Sequence, residues 1–190
     1  MLGWVFPLLV LGGLAMLPWL AESRRHAVDV FRDKAPGRFA KLSQGVTHYQ
    51  WLGGVRGPVV VCIHGLTTPS PVWYAIAGGL AKLGYRVLVY DLYGRGFSDA
   101  PRGAQDGEFF ATQLADLLDH QGLTEDVTLM GYSMGGSIAT HFAASHPNRV
   151  IRPILLASAV LLSPDGHVPA ARRVLLFFCI SSPPFVCHAP

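Results

Sequence analysis

The residues best suited to chemistry lie together at Gly131-Tyr132-Ser133-Met134-Gly135-Gly136. The apolar run Val127 to Met130 before them reads as a buried strand, and Ser137 to Ala144 after them reads as a helix. G-x-S-x-G between a strand and a helix presents a serine hydroxyl at the carboxyl edge of a sheet. Glycine is required at 131 and 135 because a side chain at either position would collide with the neighbouring strand and helix. The Met134 amide, at a helix start, then points at an oxyanion forming beside Ser133. This is the chemistry of acyl transfer through a serine nucleophile. The competing reading is a Gly-rich turn that cradles a phosphate. It is disfavoured because the chain has no G-x-x-x-x-G-K-[ST] and no G-x-G-x-x-G after a strand.

An oxyanion hole needs a second backbone N–H from a strand-end loop beside the nucleophile. The β-branched run Val59 to Ile63 ends in His64-Gly65-Leu66, followed by the polar loop Thr67 to Ser70. Gly65 lets that loop approach closely, and Leu66 offers the amide. His64 is rejected as the general base, because a histidine at the start of such a loop orders it by hydrogen bonding.

These groups must be held by a sheet, and the rest of the chain supplies one. Phe39 to Leu42 and Val46 to Leu52 read as two short strands. Val59 to Ile63, Tyr85 to Tyr90, Val127 to Met130 and Ile151 to Leu156 read as strands buried on both faces. Val72 to Leu83, Phe109 to Leu118 and Ser137 to Ala144 read as helices. Strands alternating with helices imply right-handed crossovers and a doubly wound, mostly parallel α/β sheet with helices on both faces.

Three motifs in this order carry a family resemblance: His64-Gly65-Leu66, then Tyr90-Asp91-Leu92-Tyr93-Gly94-Arg95-Gly96-Phe97-Ser98-Asp99, then Gly131 to Gly136. They resemble the α/β-hydrolase superfamily, in its esterase, lipase and monoacylglycerol-lipase-like branches, over residues 37 to 160. The resemblance implies Ser133 as nucleophile, Leu66 and Met134 as oxyanion donors, and Gly131 and Gly135 as the glycines of the nucleophile elbow. It implies a small-molecule ester substrate, no metal and no organic cofactor. A serine at the elbow points away from the epoxide-hydrolase and haloalkane-dehalogenase branches, which use aspartate there. Asp91 and Asp99 belong to a family pattern that is mainly structural. The family's acid and histidine follow the nucleophile in the chain. Beyond Ser133 the only acidic residue is Asp165, the candidate triad acid. His141 and His146 lie on or near the helix that leads away from the elbow. His167 and His188 lie in the tail, and the triad histidine stays unassigned. A cofactor-free haloperoxidase-like or acyltransferase activity on the same triad is a weaker alternative.

Composition frames these readings. The chain has 190 residues, 51% hydrophobic and 14% charged, with formal net charge +3. That excludes disorder, and it lends no support to a nucleic-acid partner, since no basic run exceeds a pair. Three cysteines without C-x-x-C exclude a disulfide framework and a zinc knuckle. Residues 2 to 21 hold no ionisable side chain, and 1–21 is expected to be a single transmembrane anchor in preference to a cleaved signal peptide, since no Lys or Arg precedes the apolar run and Trp19 before Leu20-Ala21 is a poor cleavage context. Basic residues cluster in the linker 22–36 and just beyond, which places the catalytic domain on the cytoplasmic side. The hydrolase core, 37–164, is expected to be partial, with its last strands missing, and 165–190 is an atypical hydrophobic tail. The preferred account is a truncated or frame-shifted product of a longer gene. The alternatives are a natural short form, and a catalytically incomplete fragment or pseudoenzyme of the same fold.

Overall fold

A strand that is largely apolar must be covered on both faces, and the chain's four largely apolar runs lie side by side. The computed structural model describes residues 5–23, 29–157 and 175–177. It divides into two units, Met1–Lys34 and Ala35–Pro190. The first unit contains helix α1 (Val5–Ser23) and the one-turn helix α2 (Asp29–Arg32). The second unit contains β1 (Arg38–Lys41), β2 (Val46–Leu52), β3 (Val59–Ile63), α3 (Tyr74–Lys82) and β4 (Arg86–Tyr90). It continues with α4 (Gly107–His120), β5 (Val127–Tyr132), α5 (Met134–Ser145), β6 (Val150–Leu156) and β7 (Leu175–Phe177).

The sheet order is β1-β2-β4-β3-β5-β6-β7. β1 and β2 are antiparallel to their neighbours, and the other five strands are parallel. Alternate residues of each central strand face opposite sides. Val61, Ile63, Leu88 and Leu129 pack with Phe110, Leu114, Leu117 and Leu118 of α4 and Ile138 and Phe142 of α5. Val60, Cys62, Val87, Val89 and Met130 pack on the other side with Trp73 and Ala77. Helices therefore cover both faces.

The element ends have local causes. Asp106 caps α4, its carboxylate accepting from the Phe109 N–H at 2.9 Å. Gly122, at φ 67°, follows the helix and lets the chain turn left-handed. α3 starts later than the expected Val72, because Ser70–Trp73 forms a tighter 3-10 turn with a proline in its first positions. α5 starts three residues earlier than expected, directly after Ser133.

Two expectations are corrected. No helix among the described residues is long and apolar enough to cross a membrane. The transmembrane anchor over 1–21, and with it the single-pass membrane placement and the cytoplasmic side, is therefore overturned. The physical reason lies in α1 itself. The described helix begins at Val5 and runs on into Glu22 and Ser23, so its apolar stretch falls short of the ~20 residues a span needs. The second correction concerns the sheet, which was expected to stop at Ile151–Leu156. β7 pairs in parallel with β6, matching Ile154 with Leu175, Leu155 with Leu176 and Leu156 with Phe177. An unpaired apolar strand edge leaves backbone donors and acceptors open, and a short segment of the expected tail satisfies part of them.

The central strands carry the stability of this unit. Leu88 is fully buried on β4, whereas Leu83, just past α3, is 75% exposed. Leu88→Ala is expected to lower the unfolding free energy by about 2–5 kcal/mol. Leu83→Ala should change it by less than about 0.5 kcal/mol. Urea denaturation of the two variants beside the parent chain measures both.

Candidate active site

β5 runs to Tyr132 and α5 begins at Met134, so one residue must make the whole turn between them. That residue is Ser133, at φ 52° and ψ −120°. A non-glycine residue held there stores on the order of 1–3 kcal/mol of strain, so its surroundings must impose the conformation. Two backbone bonds do so. The Ser133 N–H donates to the Leu156 carbonyl of β6 at 3.0 Å, and the Ser133 carbonyl accepts from the Gly136 N–H at 3.0 Å.

The two elbow glycines are there for space. A Cβ on Gly131 would lie 2.4 Å from the Gly135 carbonyl oxygen. A Cβ on Gly135 would lie 2.1 Å from the Ile63 carbonyl oxygen and 2.6 Å from that of His64. The elbow is thus pressed against the end of β3, which delivers the His64-Gly65-Leu66 loop to it. A Cβ on Gly65 would stand 3.2 Å from the Ser133 Cβ. Both amides expected to face an oxyanion, those of Leu66 and Met134, donate to no other described group.

His64 is locked as a neutral ring. The Leu92 N–H can only donate, so His64 Nε2 accepts from it at 2.9 Å. Nδ1 therefore carries the proton and donates to the Gly65 carbonyl at 2.7 Å. Burial pushes its pKa below the ordinary histidine value. With both nitrogens committed, His64 orders the loop and has no lone pair for the Ser133 hydroxyl.

Asp91, at the end of β4, anchors the surrounding turns. Its carboxylate accepts from the Ser70 N–H at 2.8 Å, the Phe97 N–H at 3.0 Å and His48 Nδ1 at 2.8 Å. The other ring nitrogen of His48 donates to the Pro36 carbonyl. Both neighbours of the His48 ring are acceptors, so the imidazolium fits. Burial alone lowers the His48 pKa. The hydrogen bonds to Asp91 and Pro36 and the charge of Asp91 outweigh that, and the net direction is up. For Asp91, burial raises the pKa, but the bonds from His48, Phe97 and Ser70 dominate and hold it below the ordinary value.

The other described histidines are engaged elsewhere. His141 meets Glu108 at 3.2 Å, His146 stacks on Phe142, and His120 meets the Tyr49 ring edge-on. Asp165, His167 and His188 lie outside the described residues, so the structure brings Ser133, Leu66 and Met134 together and does not place an acid or a base. Among the described residues no group of His, Cys, Asp and Glu side chains is arranged to hold a metal ion.

A mixed sheet with a strained serine between a central strand and its helix defines a class, and comparison with known proteins agrees with it. The alpha/beta hydrolase fold family matches residues 58–178. The chain belongs to that family. Lipase LipV of Mycobacterium tuberculosis is 38% identical over 115 residues, covering 60% of this chain and 41% of the lipase. The haloalkane dehalogenase of Mycolicibacterium paratuberculosis is 32% identical over 151 residues, 78% of this chain and 44% of that protein. Among solved structures, an esterase from Exiguobacterium antarcticum superimposes with TM-score 0.62 at 29% identity, covering 68% of this chain and 49% of the esterase. The chain spans less than half the length of these relatives.

Sequence reasoning passed over two residues of the site's framework, His48 and Arg95. His48 gave no signal, because a histidine in a strand matters only once its partner across the sheet is known. Arg95 sits inside a quoted motif, but its contacts run to a loop far away in sequence.

The buried His48–Asp91 pair sets a pH dependence. His48 has a raised folded pKa, so its stabilisation is complete below the unfolded value of 6.5 and is lost as pH rises through the folded value. Asp91 has a lowered folded pKa, so its contribution is present above 3.8 and is lost as pH falls through the folded value. The stability advantage of the parent chain over His48→Gln should therefore be largest between those two values and shrink above neutral pH. Urea midpoints at pH 5 and pH 8.5 read the difference.

Proposed function

We propose that this chain is a serine hydrolase acting on carboxylic esters, with Ser133 as its nucleophile. The observation that carries the reading is the conformation of Ser133. It is held at positive φ on a turn walled by Gly131, Gly135 and Gly65, where a serine without a chemical task would only cost stability. The Ser133 Oγ attacks the ester carbonyl carbon, and the carbonyl oxygen becomes an oxyanion. The amides of Leu66 and Met134 receive that charge, in the way preorganised donors lower the barrier of acyl transfer. The alcohol departs, and water releases the acid from the acyl-enzyme. A histidine must take the Ser133 proton and pass it to the leaving alkoxide, with Asp165 as the candidate acid behind it.

The likeness to a lipase and to an esterase supports the ester class and extends it to lipid-like esters. The dehalogenase relative is set apart by the serine at 133, since its branch is expected to use aspartate there. The competing reading is a catalytically incomplete member of the same fold, lacking the triad acid and histidine.

One experiment separates the two. The 190-residue chain is treated with a fluorophosphonate and assayed on p-nitrophenyl esters. A competent enzyme is labelled at Ser133 alone, and Ser133→Ala removes the label and lowers kcat by a factor on the order of 10⁶. A folded chain that takes no label and turns over no ester establishes the incomplete form. Labelling that survives Ser133→Ala removes Ser133 from the mechanism.

A further inference from the structure

Arg95 lies in the turn after β4, yet its guanidinium reaches three separate segments. Nε donates to the Leu66 carbonyl at 3.2 Å. Nη1 donates to the Tyr93 carbonyl at 2.7 Å and to Gln105 Oε1 at 2.7 Å. Three of the five guanidinium N–H groups are thereby used. The flat side of the group faces the Phe110 ring, with Cζ 5.4 Å from the ring centroid. No carboxylate among the described residues forms a salt bridge with it.

The geometry of the peptide plane gives these bonds a meaning. In a trans peptide the C=O and the N–H point in opposite directions. His64 Nδ1–H holds the Gly65 carbonyl, so the N–H of the same plane, that of Leu66, is turned away from His64. The next plane begins with the Leu66 carbonyl, and Arg95 holds that one. Leu66 is thus gripped on both sides, by a buried histidine before it and an arginine after it. Its own side chain is 55% exposed and gives the residue little packing to keep it in place.

We propose that Arg95 is a positioning residue for the oxyanion hole: by holding the Leu66 carbonyl from the turn after β4, it restrains the plane that follows Leu66 and so keeps the residue from rotating away from the His64-held plane that carries its N–H. This rests on the reading of Leu66 as an oxyanion donor. The grip is itself anchored. Gly94 and Gly96 flank Arg95 at φ 75° and 53°, and a Cβ on Gly96 would lie 2.1 Å from the Asp91 carboxylate. The turn that presents the guanidinium is therefore wrapped around the buried Asp91. Lysine cannot reproduce the fork of an arginine, so a single ammonium would hold the Leu66 carbonyl and lose part of the bracing.

The test uses the full chain, with Arg95→Met, Arg95→Lys and Ser133→Ala beside the parent. Two quantities are measured: kcat and KM on p-nitrophenyl acetate, and amide hydrogen exchange of the 64–68 segment against that of β3 and β5. Removing an oxyanion donor outright costs about 10²–10³ in kcat, and loosening one should cost about 10-fold. Arg95→Met is expected to lower kcat about 10-fold with KM within about 2-fold. It should also speed exchange in 64–68 at least about 10-fold while β3 and β5 stay as in the parent. Arg95→Lys should recover part of both effects. If Arg95→Met leaves kcat and exchange unchanged, the proposal is wrong. Faster exchange across β3 and β5 as well would mark Arg95 as a general fold residue and overturn it too. Should the parent neither hydrolyse esters nor take the fluorophosphonate, the serine-hydrolase reading fails. The exchange comparison alone then decides whether Arg95 clamps the loop.

Discussion

The carboxylate of Asp91 is the interaction on which the site's surroundings depend. It is 1% exposed, and a charge that far from water is costly unless hydrogen bonds replace its hydration. Three donors replace it, and each comes from a different part of the chain: Ser70 after the His64 loop, Phe97 in the turn after β4, and His48 on β2. The need to satisfy one buried charge therefore fixes three backbone segments relative to one another. Its own carbonyl adds two more ties, accepting from Ser98 Oγ at 2.6 Å and Gln113 Nε2 at 3.1 Å. Removing the carboxylate would leave His48 Nδ1 and two backbone N–H groups without partners, so the loss would exceed that of a surface ion pair several-fold.

The strain at Ser133 is imposed from the other direction, by close packing. The elbow cannot relax toward an ordinary backbone because β3 lies against Gly135, α5 begins at once, and β6 holds the Ser133 N–H. The two constraints meet at the His64 loop. Its start, at Gly65, is pressed against Ser133, and its end, at Ser70, is tied to Asp91. A loop held at both ends and braced by His64 in between is what preorganised donors require, because donors that must reorient during the reaction lose much of their effect.

The fold was legible in the sequence to the extent that burial on two faces writes an unbroken apolar run. β3 lies where its run predicts and β4 differs by one residue, because such runs have few alternative registers, and β2 lies where its looser alternation predicts. The elbow was legible because Gly131 and Gly135 are forced by sterics at fixed spacing about Ser133. The N-terminal span was misread, since counting uncharged residues over 2–21 does not register that the described helix begins at Val5 and runs on into Glu22 and Ser23. β7 was missed because a three-residue strand draws its identity from the edge it pairs with, not from its own pattern. The His48–Asp91 pair was invisible for a related reason: 43 residues separate the partners, and only the register of β2 against β4 brings them together.

The described part of the site is the half that would receive charge under the proposed reading. Every bond that orients Leu66 and Met134 comes from residues between His48 and Leu156. The strain at Ser133 is likewise sustained by β3, β6 and α5 alone. The shape follows from a buried carboxylate that must be solvated by backbone and from a serine that has no room to relax.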